Sequence, residues 1–246
     1  MCELCGDAQH APRVSRRFFL RTGALAALAP WRMGFALAAE PPVAGAPPPP
    51  NAITPAQALK RLMQGNARYV ANTPNQRDFS SGRAARVRAQ YPIAAILSCA
   101  DSRVAPEFAY DQGPGELFVV RVAGNSVSLD VLASLEYSVQ LLGVPLVMVL
   151  GHSGCGALEA AIKVLKNKAV LPGHLPEFVD AFKPAVIAAQ TMQSGDLLDN
   201  AIAENVRQQV THLKTSPPVI QSLYADNKID IVGGVYDLAT GKIMLV

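Results

Sequence analysis

Five short apolar runs constrain this chain more than any other feature: Ile93 to Ser98, Leu117 to Val122, Leu146 to Leu150, Ile229 to Tyr236 and Ile243 to Val246. They are short, rich in Val and Ile, and read as strands buried on both faces. Between them lie stretches with helical spacing, at 126–142, 156–167, 176–193, 197–214 and 217–226. Strand alternating with helix predicts an α/β protein with a mostly parallel, Rossmann-like sheet of four parallel strands and flanking helices. The last two runs, joined by a Thr240-Gly241 turn, predict a hairpin that adds an antiparallel edge strand. Upstream, Thr54 before Pro55 is a helix start, and Ala58, Leu59, Leu62 and Met63 predict an N-terminal helical arm over 54–71. A second, basic helix is expected over 80–90.

The N-terminus carries an address. Ser15-Arg16-Arg17-Phe18-Phe19-Leu20 is a twin-arginine signature, followed by an Ala/Leu stretch and a small-residue cleavage site after Ala38. Its apolar run stops at Pro30 and falls short of the roughly 20 residues that a membrane span needs. The expected organisation is a signal over 1–38, a Pro/Ala-rich linker over 39–53 and a folded domain over 54–246, exported to the periplasm or a similar compartment. Five of the 22 basic residues and two of the 19 acidic ones fall in 1–38, which leaves 17 of each. A neutral domain without a basic patch offers nothing to neutralise nucleic-acid phosphates. Cys2 and Cys5, with His10 nearby, form a C-x-x-C, but they precede the signal and lack a strand-to-helix context.

The chemistry concentrates at two strand ends. Ser98-Cys99-Ala100-Asp101-Ser102-Arg103 follows the first run, and Gly151-His152-Ser153-Gly154-Cys155-Gly156 follows the third. In an open α/β sheet, ligand sites sit at the carboxyl ends of the strands, above all where the strand order reverses. If those two strands are neighbours, Cys99, His152 and Cys155 converge. Two thiolates and an imidazole suit zinc, and three protein ligands leave the fourth position open, as catalytic sites do. Asp101 and Arg103 can pair, which would keep the carboxylate ionised and able to orient a water on the metal. The same carboxylate could instead take the fourth metal position. His174 and His212 have no such neighbours and are expected to be ordinary satisfied residues without a ligand role, while Gly233-Gly234 is expected to mark close packing in a strand.

These motifs, Cys-x-Asp-x-Arg followed about fifty residues later by His-x-x-Cys, resemble those of the β-class carbonic anhydrases. The resemblance runs from about residue 54 onward and includes Pro114-Gly115-Glu116-Leu117-Phe118-Val119-Val120-Arg121 and Gly124-Asn125. It implies reversible hydration of carbon dioxide to bicarbonate and a proton, one Zn2+ per subunit, and homodimers or homotetramers with active-site residues from both subunits. Carried over position by position, it makes Cys99, His152 and Cys155 the zinc ligands and Asp101 with Arg103 the catalytic dyad. Gln90 matches a glutamine that donates to substrate. Phe118, Ala123 and Tyr137 match the apolar carbon dioxide pocket, and Gly156 offers a backbone amide. A second branch of the family binds regulatory bicarbonate at a Trp, an Arg and a Tyr. Here Arg121 and Tyr236 stand at the corresponding positions, but Ile96 replaces the Trp, so the open, plant-like site is expected. The usual Asn after the Arg is Val122 here. Two other readings fit the motifs: hydrolysis of carbon disulfide or carbonyl sulfide by the same activated water, and a non-catalytic zinc- or bicarbonate-binding module.

Overall fold

The computed structural model describes residues 48–246; the twin-arginine segment, the Cys2/Cys5 pair with His10 and the first part of the linker lie outside the described residues. Five strands form one sheet: β1 (Ala94–Ser98), β2 (Leu117–Arg121), β3 (Leu146–His152), β4 (Asp230–Tyr236) and β5 (Ile243–Leu245). Their order is β2-β1-β3-β4-β5, with the first four parallel and β5 antiparallel to β4, as the apolar runs predict. The chain steps from β1 to one side for β2 and then crosses to the other side for β3. The gap between β1 and β3 is therefore the point at which strand order reverses.

Side-chain alternation builds a core on each face. Ala94 and Ile96 of β1 and Met148 and Leu150 of β3 point to one cluster, closed by Ala58 and Leu62 of α1 (Pro55–Val70) and by Ala109 of the short α3 (Pro106–Ala109). Ala95, Leu97, Val147 and Val149 point to the other, covered by α4 (Leu129–Leu141), α8 (Leu197–Lys214) and α9 (Val219–Ala225). A period of two along each strand sends successive residues to opposite faces, which is why runs apolar at every position are needed. Helix α1 begins with the expected cap: Thr54 accepts from the Gln57 amide, and the Gln57 side chain accepts from the Thr54 amide. The helical arm is thus folded onto its own sheet. Helix α2 (Arg83–Arg88) is shorter than the sequence suggests and buries no residue.

A third cluster, over the carboxyl edge, joins α5 (Gly156–Asn167), α6 (Leu175–Asp180), α7 (Lys183–Gln190) and α8. The sequence predicts one helix over 176–193, whereas the chain turns at Ala181-Phe182. Pro184 in the first turn of α7 has no amide to continue a helix from before it. The turn lets Phe182 point inward, where its ring meets Phe178 edge-on at 5.1 Å. Helix α8 lies close against the sheet because β3 and β4 present glycine there. A Cβ at Gly233 would stand 2.6 Å from Val206 Cγ1, and one at Gly151 2.7 Å from Val206 Cγ2. Gly233 thus has the close-packing role expected of it.

A buried carboxylate fastens α1 and the segment after it to the loop between α3 and β2. Asp111, with its side chain 1% exposed, receives Arg68 Nε at 2.5 Å, the Asn75 amide at 3.2 Å and Arg77. Burial alone would push its carboxyl up, but the bonds from Arg77 and Arg68 outweigh it and hold the group below its ordinary value. Stability from this group is therefore full above about pH 4 and is lost as the pH falls through the lower folded value. Asp111→Asn is expected to cost about 3 kcal/mol in urea unfolding at pH 7 and to flatten the acid limb of stability against pH. An unchanged acid limb would rule out the carboxylate as its source.

Candidate metal centre

The β1–β3 register decides the site. Ser98 stands opposite Leu150, so Cys99, one residue beyond, and His152, at the end of β3, emerge side by side. Cys155 follows at the N-cap of α5, after a turn in which Gly154 adopts a φ of 63°. The ligand atoms of Cys99, His152 and Cys155 all lie within 4.8 Å of one another, and all three residues are buried. Neither cysteine is in a disulfide.

Each ligand is aimed by its surroundings. His152 Nδ1 lies 2.9 Å from the Ser153 carbonyl, which can only accept, so Nδ1 carries the proton and Nε2 presents its lone pair to the site. That Nε2 is buried without a hydrogen-bond partner, a costly arrangement unless a metal satisfies it. Ser153 is itself fixed, its amide donating to Tyr236 O at 2.9 Å and its hydroxyl accepting from the Leu238 amide at 2.9 Å. Cys99 Sγ accepts from the Gly124 amide at 3.2 Å. The two sulfurs share one proton easily and lose the second with difficulty. Cys99 is pulled down to about 4, first by the hydrogen bond from the Cys155 thiol, while Cys155 is pushed up, first by its bond to Cys99 and then by burial. Burial alone would lower His152, but the neighbouring Cys99 sulfur raises it. Crowded sulfurs and an orphaned imidazole nitrogen, all buried, are a donor set that fits a soft or borderline divalent cation such as zinc.

Asp101 flanks this group. Its Oδ1 accepts from Arg103 N and Nε, both at 2.9 Å, and its Oδ2 accepts from Arg103 Nη2 at 2.7 Å. The Arg103 fork holds the carboxyl well below the usual carboxylate range. Oδ2 lies 3.8 Å from His152 Nε2, beside the cluster. Arg121 braces the loop from below, with Nε donating to Cys99 O at 3.1 Å and Nη2 to Asp101 O at 2.7 Å. That bracing is invisible in the sequence, where Arg121 is read only through the regulatory branch of the family. The other residues of that comparison are engaged elsewhere: Ile96 is fully buried, and the Tyr236 hydroxyl is 3.1 Å from that of Tyr69.

The chain brings together Cys99, His152, Cys155, Asp101 and Arg103, with Ala123 beside Gly124 and with Gly156 next to Cys155. Space opens above Gly156, where an added Cβ would meet nothing within 4 Å. Gln90, Phe118 and Tyr137 are not part of this group in a single chain. Gln90 is exposed and lies before the amino end of β1, whereas Cys99 follows its carboxyl end. Phe118 is in register with Ala95, three positions below the strand end, and packs against Tyr137 at 6.2 Å. His174 and His212 are exposed and stand outside the group.

A doubly wound sheet with a buried Cys-His-Cys group that could hold a metal at its switch point, and an Asp–Arg pair alongside, defines an α/β protein with a candidate metal centre. A family profile described as carbonic anhydrase matches residues 94–243. The chain is 38% identical over 198 residues to the carbonic anhydrase of Mycolicibacterium smegmatis, covering 80% of this chain and 95% of that one. Its fold is similar to that of the Coccomyxa β-carbonic anhydrase solved with acetazolamide, with a TM-score of 0.60 and 29% identity over 68% of this chain and 77% of that one. It is also similar to that of the tetrameric β-carbonic anhydrases of Sordaria macrospora, with a TM-score of 0.61 and 21% identity over 77% and 97% of the two chains. The chain belongs to the carbonic anhydrase family, in its β class. It is a carbonate dehydratase, a lyase that interconverts carbon dioxide and bicarbonate; hydrolysis of carbon disulfide or carbonyl sulfide and a purely binding role are not favoured.

Gly124 makes the site's tightest backbone demand. At φ 68°, its position would set an added Cβ into the Phe182 ring and 3.0 Å from Ala157 Cβ. Gly124→Ala is expected to lower the unfolding free energy by about 2–4 kcal/mol, from overpacking and left-handed strain together, as read by urea titration.

Proposed function

We propose that this carbonic anhydrase works as a zinc enzyme with an open site, in which Cys99, His152 and Cys155 hold one Zn2+ and Asp101 with Arg103 directs the attacking water. The observation that carries the reading is the buried, unpartnered His152 Nε2 facing two sulfurs. Bound there, zinc supplies Lewis acidity that makes water a nucleophile near neutral pH.

The chain's own residues do the rest. Asp101, kept ionised by the Arg103 fork, is acceptor-only beside the cluster. It can take a hydrogen bond from the water and so turn the water's remaining lone pair toward carbon dioxide. Arg103 holds both carboxylate oxygens, and in the open reading this fork keeps Asp101, whose Oδ2 is 3.8 Å from His152 Nε2, as an acceptor for the water and not as a fourth ligand. Ala123 and Gly156 leave room for a small linear substrate, and the Gly156 amide in the first turn of α5 is available to a developing negative charge.

Gln90, Phe118 and Tyr137 enter this reading from a second copy of the chain. Strand β2 is an open sheet edge, and α4 beside it exposes Leu129 (81%), Tyr137 (46%) and Leu141 (42%), apolar surface that a homodimer would cover. The fungal neighbours are tetramers, and a homotetramer of such dimers is the larger alternative. Export by the twin-arginine route accords with a site that needs its metal before the folded chain crosses a membrane. No described helix is long and apolar enough to span one. Recovery of a periplasmic form beginning at residue 39 is the check on that route.

In stopped-flow carbon dioxide hydration, Asp101→Ala is expected to lose about 10²–10⁴ in turnover while keeping its zinc. Near-normal turnover would sink the orienting role. Cys155→Ser is expected to lose the metal, and a full zinc content in that variant would reject it as a ligand. Mixing Gln90→Ala with Asp101→Ala chains under exchange should restore turnover if one site draws on two chains; no recovery in verified mixed dimers counts against it.

A further inference from the structure

Two buried amides on α8 extend toward Cys99 through the turn that separates β2 from α4. Val127 N donates to Gln209 Oε1 at 2.9 Å, Gln209 Nε2 donates to Asn205 Oδ1 at 3.3 Å, Asn205 Nδ2 donates to Gly124 O at 3.0 Å, and Gly124 N donates to Cys99 Sγ at 3.2 Å. Asn205 is 1% exposed and Gln209 8%. They stand one helical turn apart on a face otherwise made of Ala201, Ile202, Val206 and Leu213. Polar side chains on such a face carry a desolvation cost unless they are matched, and both side-chain oxygens and both side-chain nitrogens of Asn205 and Gln209 are used within this chain of bonds.

The turn needs them. Residues 123–125 form a single 3-10 turn interrupted by the left-handed Gly124, so the Gly124 carbonyl and the Val127 amide are left without regular backbone partners. Asn205 takes the first and Gln209 the second. With its carbonyl held by Asn205 and its Cα wedged against Phe182 and Ala157, Gly124 has one orientation left for its amide, and that orientation faces Cys99 Sγ.

We infer that Asn205 and Gln209 are positioning residues for Cys99, holding the Gly124 amide on its sulfur and so setting how the site binds its metal. The inference rests on the reading of Cys99 as a ligand. An N–H donated to a ligating sulfur orients the ligand and withdraws charge from it, and partners of this outer kind are worth about 10–100-fold in metal affinity. The sequence signal is an Asn and a Gln four apart on the apolar stripe of a helix that touches both β3 and β4.

The test uses the full chain with zinc and, separately, with cobalt(II). Asn205→Leu keeps the approximate shape and removes both bonds, Gln209→Leu removes the outer two links, and Leu213→Ala is a packing control at the far end of the same helix. The expected result is zinc binding about 10–100-fold weaker in Asn205→Leu by chelator competition, a smaller loss in Gln209→Leu and parent-like affinity in Leu213→Ala. The sulfur-to-cobalt charge-transfer band should shift in Asn205→Leu and stay in place in the control. Parent-like zinc affinity and an unmoved band in folded Asn205→Leu overturn the inference, as does the same result in Gln209→Leu if Asn205→Leu does not fold. A parent chain that shows no sulfur-to-cobalt band overturns instead the assignment of Cys99 as a ligand.

Discussion

The parallel pairing of β1 with β3 is the constraint on which the site depends. Cys99 and His152 come from segments more than fifty positions apart in sequence, and only the alignment of Ser98 with Leu150 sets them side by side. A slip of one residue would turn Ile96 and Leu97 to the wrong faces and expose each core; a slip of two would keep the faces but move one ligand by about 6.6 Å. The apolar clusters on the two sheet faces therefore also fix the ligand spacing. Packing energy and site geometry are held by the same contacts, so the strands that form the centre of the core deliver the ligands.

Electrostatics at the carboxyl edge follow from burial. On the inner side, Cys99 and Cys155 share an apolar cluster with Leu158, Phe182 and Ile202, where two unshared negative sulfurs could not persist without a cation. On the outer side, Asp101 and Arg103 reach solvent, and the Arg103 fork keeps the carboxylate charged against the partial burial that would push its pKa up. The candidate metal position of the proposed reading lies between a dry wall that favours positive charge and a wet rim that supplies a fixed acceptor. Arg121 ties the two together by bonding the carbonyls of Cys99 and Asp101 at once.

Strand positions, the antiparallel edge and the convergence of Cys99, His152 and Cys155 were legible in the sequence because each rests on local pattern: apolar runs, a Thr-Gly turn, candidate ligand types placed just after strands. The split of the 176–193 helix was not, since Pro184 is compatible with a helix start or a kink, and only the inward demand of Phe182 decides between them. Asn205, Gln209 and the bracing role of Arg121 were equally hidden. Their partners are backbone atoms up to 82 positions away, and a hydrogen bond to backbone leaves no complementary residue type to find. Gln90, Phe118 and Tyr137 came from family resemblance alone, and the single chain keeps them apart from the metal ligands.

That separation bears on how activity and assembly are linked. The residues of the expected site that this chain places beside the cluster are polar or small, Asp101, Arg103, Ala123 and Gly156, and the aromatic ones are not among them. The aromatic pair Phe118–Tyr137 lies three register positions down an open edge strand, with Tyr137 half exposed. A gas with no charge and no strong hydrogen-bonding group is gathered chiefly by apolar surface. On the proposed two-chain reading, the surface that drives association and the surface that concentrates substrate are the same. An isolated chain would then keep its metal ligands and its Asp–Arg pair yet lack the wall that fills the site.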